Sequence, residues 1–284
     1  MVVIRIIGGL GNQLFQYAAA RSLAATLSTD LKVDVTALEA QDLRHFDLQS
    51  LHPLVQVAAK AEIDQLKPSR RLARIVERLK PVGSKRFYKE PFFHFDPALF
   101  TLSSPVYLQG YFQSELYFKP IEDDIRQIYS FPPHMVETVR GFADQLNTGS
   151  SVSVHIRRGD YKNPVTQKIH GILTPAYYQA AIAKIHACVS DPVFYVFTDD
   201  SAWVRANLDL PDAHLISGTI SQTHFEDLYL MSKCNHHIIA NSSFSWWGAW
   251  LNKRPDKTVV APASWFNEGP SDTQDLLPPG WVRV

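Results

Sequence analysis

The stretch Val2-Val3-Ile4-Arg5-Ile6-Ile7-Gly8-Gly9-Leu10-Gly11-Asn12-Gln13-Leu14 decides how the rest of the chain is read. Val2 to Ile7 is a β-branched run of the kind that forms a buried strand. Gly8-Gly9 ends it, and the Ala-rich segment from Leu14 to Leu27 reads as a helix. Leu31-Lys32-Val33-Asp34-Val35 follows as a second strand, so residues 1–35 form a βαβ unit with a right-handed crossover. Further on, Val106 to Phe112 reads as a strand, with helical patterns around 115–129 and 134–147. The polar stretch Asn147-Thr148-Gly149-Ser150 then marks a boundary between domains at 1–148 and 149–284.

Beyond that boundary the rhythm is regular. Apolar runs at Val152–Ile156, Val193–Phe197, Ala213–Ile216, His237–Ala240 and Thr258–Ala261 alternate with helical segments at Thr174–Cys188, Ser201–Leu208, His224–Cys234 and Ser245–Leu251. That alternation predicts parallel sheets covered by helices, an α/β class. Two such halves place a ligand in the cleft between them, at the carboxyl ends of the strands. Residues 36–105 are harder to read, although Leu72, Ile75, Val76 and Leu79 have the spacing of a helix packed by one face. Arg70, Arg71, Arg74 and Arg78 surround that stripe and offer the alternative of an anionic partner or membrane surface.

Composition narrows the function classes. At 284 residues, 45% hydrophobic and 20% charged, the chain has ample apolar surface for two cores and is not disordered. Lys and Arg number 28, as do Asp and Glu, so no global field draws in nucleic acid, and anion binding must be local. The two cysteines, Cys188 and Cys234, form no disulfide framework, and the first residues lack the basic, apolar layout of a signal peptide. No run reaches the ~18 apolar residues of a spanning helix. A cytoplasmic protein is expected.

The candidate site residues fall just after strands. His155-Ile156-Arg157-Arg158-Gly159-Asp160 follows Val152–Val154, and two guanidiniums beside a glycine suit a pyrophosphate, or else pair with surface acids. Asn241-Ser242-Ser243-Phe244-Ser245 lies between a strand and a helix, where the serines cap the helix and its N–H groups favour a phosphate. Trp246, Trp247 and Trp250 beyond it read as packing rather than as a sugar platform. Asp199 and Asp200 are adjacent, which is the wrong spacing for a metal-binding Asp-x-Asp. Asp199 is therefore read as the orienting partner of an Arg, and no metal is expected. Of Glu226-Asp227, one acid pointing inward would read a guanine edge through two N–H bonds. Gly9 and Gly11 fit the first two positions of a dinucleotide fingerprint, and Asp34 the ribose position. Leu14 breaks the third position, while Asn12 and Gln13 suit a neutral ligand such as a sugar.

Taken together, residues 8–18, 155–161, 197–200 and 241–251 resemble, in order and spacing, the bacterial α-1,2-fucosyltransferases. The resemblance implies a GT-B-like fold of two facing Rossmann-type domains with parallel sheets. GDP-fucose would be held mainly by the C-terminal domain and a galactose-terminated acceptor, in an O-antigen or capsule precursor, approached from the other. The reaction it implies is inverting and needs neither metal nor cofactor. Carried over by motif, Arg157 resembles the residue on the β-phosphate, with His155 and Arg158 beside the nucleotide. Asp227 is placed as the guanine reader, Ser242, Ser243 and Phe244 as the phosphate loop, and Asn12, within the Gly9–Gln13 loop, as the amide reaching the sugar. Asp160 is the candidate general base by position. Peripheral attachment to the inner membrane would suit such an acceptor, and GDP-colitose is the alternative donor. A nicotinamide oxidoreductase and a noncatalytic glycan-binding protein are the readings from other classes.

Overall fold

The computed structural model describes the chain except for residues 40–44, 69–74, 78, 209 and 211 and the side chain of Asp160. The chain divides into two compact units, Met1–Ser130 with Asp272–Pro278, and Phe131–Ser271 with Pro279–Val284.

Unit 1 is built on a four-stranded sheet of β1 (Val2–Arg5), β2 (Leu31–Asp34), β3 (Phe87–Lys89) and β4 (Val106–Gln109), in the order β2-β1-β4-β3 with every pairing parallel. Helix α1 (Leu10–Thr26) connects β1 to β2, and Ala18, Ala19, Ala20 and Ala24 are fully buried along it. It begins at Leu10, ahead of the apolar pattern from Leu14, because the Gly9 carbonyl accepts from the amides of Asn12 and Gln13. Gly8 makes the turn at φ +79°, a conformation that a Cβ would strain.

Strand β4 stops at Gln109 rather than Phe112, since the chain turns at Gly110 and Phe112 takes φ +52°. The helical pattern at 115–129 resolves into two 3-10 turns, Glu115–Tyr117 and Lys119–Ile121, before a helix at Glu122–Ile128, with Pro120 unable to donate to a longer one. The helix expected across Leu72–Leu79 is only partly described, because Leu72 and Arg70, Arg71, Arg74 and Arg78 lie outside the described residues. Its described apolar members face outward, Ile75 at 49%, Val76 at 58% and Leu79 at 79% exposure. The residue that turns inward is Glu77, whose carboxylate accepts from the amides of Arg86 and Phe87 at the start of β3. Polar satisfaction of an edge strand wins there over the apolar stripe.

Unit 2 carries a six-stranded parallel sheet in the order β10-β9-β8-β5-β6-β7. Its strands are β5 (Ser151–Ile156), β6 (Val193–Thr198), β7 (His214–Leu215), β8 (His236–Ile238), β9 (Val259–Ala261) and β10 (Val282–Arg283). All six residues of β5 are buried, as a central parallel strand requires. Helix α2 (Pro175–His186) lays Tyr178, Ala181 and Ile185 against Val152, Val154, Phe194 and Val196. Helix α3 (His224–Lys233) precedes β8, and α4 (Ser243–Leu251) follows it. Trp246, Trp247 and Trp250 of α4 are buried and pack on one another, so they are core and not a sugar platform.

The division between the units falls earlier than the polar stretch at 147–150. Phe131 packs edge-on against Tyr229, Thr138 donates to Glu226, and Phe142 packs on Tyr195, all within unit 2. Conversely, Asp272 accepts from the amides of Phe93 and His94, and Asp275 from Phe95, which ties residues 272–278 into unit 1. Among the described residues, no helix is long and apolar enough to cross a membrane.

Candidate active site

In unit 2 the chain leaves β5 for β6 and β7 on one side and returns as β8 on the other. The loops after β5 and β8 therefore flank the switch point, where open α/β sheets bind ligands. The two loops are joined: the Tyr161 hydroxyl donates to the Asn241 carbonyl at 3.0 Å, and the rings of His155 and Phe244 lie 5.7 Å apart. Asn241 is itself anchored by its amide to the carbonyls of His170 and Trp265. Tyr161 and Asn241 are braces that sequence reasoning placed inside its motifs but gave no role, since neither carries a charge or a helix-period signal.

Arg157 projects from the loop after β5, and its Nη1 lies 2.9 Å from Asp199 Oδ2. Asp199 Oδ1 accepts from the Arg158 amide at 2.8 Å, so one carboxylate fixes both the loop and its guanidinium. Gly159 is required beside it, because a Cβ there would come within 2.8 Å of Asp199 Oδ2. Asp199 thus pairs with an Arg of the neighbouring loop, Arg157. Arg158 goes elsewhere: its Nε lies 3.2 Å from Asp200 and its guanidinium sits 4.1 Å over the Trp203 ring. Lys162 joins at 2.8 Å, and its hydrogen bond holds the Asp200 carboxyl below the usual range.

His155 is 5% exposed. Burial and the neighbouring Arg157 push it down to about 3, so the imidazole is neutral, and its buried Nδ1 has no hydrogen-bond partner among the described residues. After β8, Ser242 caps α4 by accepting from the Phe244 amide at 3.3 Å. Ser243 starts the helix, where first-turn amides and the helix dipole favour an anion.

The two acids of α3 divide their tasks. Glu226 closes a capping box with Thr223 and is a structural residue. Asp227 accepts from Ser217 at 2.8 Å and from Ser221. Burial pushes its carboxyl up and the two hydroxyls only partly offset this.

In unit 1 the corresponding switch point lies between β1 and β4. Asn12, in the first turn of α1, accepts from Gln113 Nε2 at 2.8 Å, and Gln113, 6% exposed, keeps an Oε1 without a partner among the described residues. Gln13 does not share the exposure expected of a ligand-binding amide. It is fully buried, donating to the carbonyls of Gly8 and His45 and accepting from the Leu48 amide, so its amide ties the loop down instead of meeting a ligand. Gly9 and Gly11 shape the start of the same helix.

Asp34 is likewise unavailable to a ribose. It is fully buried and accepts from Thr36 and Tyr107; burial raises its carboxyl, and those hydrogen bonds more than offset this and hold it below the usual range. Among the described residues, no three His, Cys, Asp or Glu side chains gather as metal ligands.

Two sheets of this type, each presenting loops at its carboxyl edge, are matched by known sequences along the whole chain. The sequence profile of Glycosyl transferase family 11 covers residues 1–284. The chain belongs to this family. Family 11 relatives include an Escherichia coli alpha-1,2-colitosyltransferase, 33% identical over 100% of this chain and 99% of its own length. Another is the E. coli O-antigen biosynthesis glycosyltransferase WbnK, 32% identical over 98% of each. The human galactoside alpha-(1,2)-fucosyltransferase 1 is 25% identical over 86% of this chain and 63% of that protein.

Solved structures share the GT-B fold. A mutant of Arabidopsis thaliana FUT1 in complex with GDP superposes with a TM-score of 0.53 at 13% identity, covering 98% of this chain and 74% of that one. NodZ alpha-1,6-fucosyltransferase co-crystallised with GDP gives 0.51 at 16% identity, covering 87% and 91%. The chain is a family 11 glycosyltransferase.

Proposed function

We propose that this family 11 enzyme transfers L-fucose from GDP-fucose, with inversion and without a divalent metal, to the 2-hydroxyl of a terminal β-galactose in a surface-glycan precursor. The observation that carries the reading is Arg157, held by Asp199 at the carboxyl end of β5, in a loop braced to the one that opens α4. As the sugar–phosphate bond breaks, negative charge grows on GDP. Arg157 and the first-turn amides of α4 are the groups that would stabilise it, in place of a metal. His155, neutral and buried, would sit against the nucleotide without opposing its charge. Ser242 and Phe244 would shape the phosphate loop, Asp227 would accept from the guanine edge, and Asn12 would reach the sugar.

The α-1,2 linkage and the galactose acceptor are supported by the names of the bacterial and human relatives. The O-antigen role of WbnK supports an acceptor on a lipid carrier and peripheral attachment at the cytoplasmic face of the membrane. GDP-colitose is the second donor reading, favoured by the whole-chain similarity to the colitosyltransferase. The two sugars differ by one hydroxyl, a difference that a few pocket contacts can read.

The test is GDP release in EDTA from each donor, with and without lactose. Acceptor-dependent release, falling about 10²–10³-fold in Arg157→Ala, is expected. Unchanged turnover in that variant, or thermal stabilisation by NAD and not GDP, would overturn the reading.

A further inference from the structure

Glu90 directly follows β3, and its amide continues the pairing to the Gln109 carbonyl at 2.8 Å. Its side chain turns to the loop that leaves β4. Oε2 accepts from the Tyr111 amide at 2.7 Å and Oε1 from the Phe112 amide at 2.9 Å. Gly110 makes this approach possible, since a Cβ there would stand 2.4 Å from Glu90 Cβ and 2.6 Å from Oε2. Directly after Phe112 comes Gln113, with its bond to Asn12 and a buried Oε1 that has no partner among the described residues.

Thus Glu90, Gln113 and Asn12 follow three neighbouring strands, β3, β4 and β1, at the carboxyl edge of one sheet. Around them two aromatic side chains stay in solvent, Tyr111 at 41% and Phe92 at 52% exposure. Exposed rings beside amides and a carboxylate are the surface a neutral sugar uses, with apolar faces stacking and hydroxyls pairing.

We propose that Glu90 is the general base that takes the proton from the acceptor hydroxyl, with the Asn12–Gln113 amides and the rings of Tyr111 and Phe92 contributing the acceptor sugar's contacts. The assignment rests on the transfer reaction proposed above. In that step the acceptor oxygen bonds to the anomeric carbon, the bond from that carbon to the β-phosphate oxygen breaks with its electron pair leaving on GDP, and the hydroxyl proton passes to Glu90.

Each carboxylate oxygen spends one lone pair on a backbone amide and keeps another for that proton. The chemistry asks for a base poised near neutrality. Burial pushes Glu90 up to about 7, with the two amides working against the rise and Asp272 adding to it. Among the described residues, the titratable groups that act on it are Asp272, which carries His94 at 2.9 Å, and the neutral phenols of Tyr88 and Tyr117. An amide side chain keeps one of the two acceptors that clamp the positive-φ turn at Phe112 and cannot take the proton, so the pH profile, and not the rate alone, separates a structural role from a proton-accepting one.

The experiment follows acceptor-dependent GDP release against pH in the wild type, Glu90→Gln and Asp160→Asn, alongside thermal shift with GDP. Glu90→Gln keeps one oxygen for the loop amides. It is expected to bind GDP normally, to lose about 10²–10⁴-fold in turnover and to lose the rising limb near pH 7, while Asp160→Asn retains that limb whatever its rate. Glu90→Ala supplied with formate should regain activity. A rising limb that survives in Glu90→Gln, or one that disappears in Asp160→Asn, overturns the assignment while leaving the transferase reading intact. A wild type that releases GDP from neither donor overturns the transferase reading itself, and Glu90's role with it.

Discussion

Replacing Asp199 by Asn separates what the site costs in stability from what it contributes to the reaction. Asp199 makes two bonds, Oδ2 to Arg157 at 2.9 Å and Oδ1 to the Arg158 amide at 2.8 Å. Asparagine can keep the second with its own oxygen, but it then turns an NH₂ group toward the guanidinium, donor against donor, and Arg157 must swing away. The lost ion pair joins side chains that are 29% and 26% exposed, so after screening it is worth about 0.2–1 kcal/mol. In a protein of this size that lowers Tm by at most about 4 °C.

The effect on turnover is expected to be much larger. A displacement of about 1 Å at a group that meets the leaving phosphate costs on the order of 10²-fold in kcat/KM, or about 2.7 kcal/mol of transition-state stabilisation. The assays are GDP release with saturating lactose and a thermal melt of the same sample. A variant within threefold of wild-type kcat/KM would refute the reasoning, because Arg157 would then be indifferent to the carboxylate that holds it.

Other outcomes follow from the same structure. Trp247→Ala, which empties a fully buried site in the α4 core, is expected to lose about 3–5 kcal/mol in denaturant melts. Thr223→Ala removes the cap of α3 beside Asp227, and about 1 kcal/mol of stability should go with it. His155 and His237 are buried with depressed values, so the unfolded chain binds their protons first. Stability is complete above about pH 6.5 and is lost below it at about 1.4 kcal/mol per pH unit for each. Glu90 is raised and works in the opposite sense, its contribution being lost as pH rises through about 7, so Glu90→Gln should show a steeper fall of Tm between pH 7 and 5.5 than the wild type.

What the sequence made legible was the part set by local chemistry. The runs Val152–Ile156 and Val193–Phe197 are strands because continuous β-branched and aromatic residues suit a sheet covered on both faces. Ser242 is a cap because serine before an apolar run has few other uses. Asp199 was read as the partner of an Arg without saying which, and the parallel pairing of β5 with β6 is what brings Arg157 to it.

The remainder depends on long-range contacts. β3 is three residues long, without an alternation to read, and exists because β4 offers it a partner. Gln13 looked like a ligand-binding amide, and only the fold shows the carbonyls that consume it. Glu90 carried no motif at all; its environment is made by Gly110, the Tyr111 and Phe112 amides and Asp272, a residue far along the chain.

That distant contact bears on how the protein is made. The backbone passes between the two units three times, at 130–131, 271–272 and 278–279. The amides of Phe93, His94 and Phe95 therefore wait for Asp272 and Asp275, which the ribosome delivers 178–180 residues later. Unit 1 lacks residues 272–278 until most of unit 2 has emerged, and the last strand of unit 2 arrives later still. Neither unit is a contiguous piece of polypeptide that a single cut would release intact, and both are completed within the same few residues of translation.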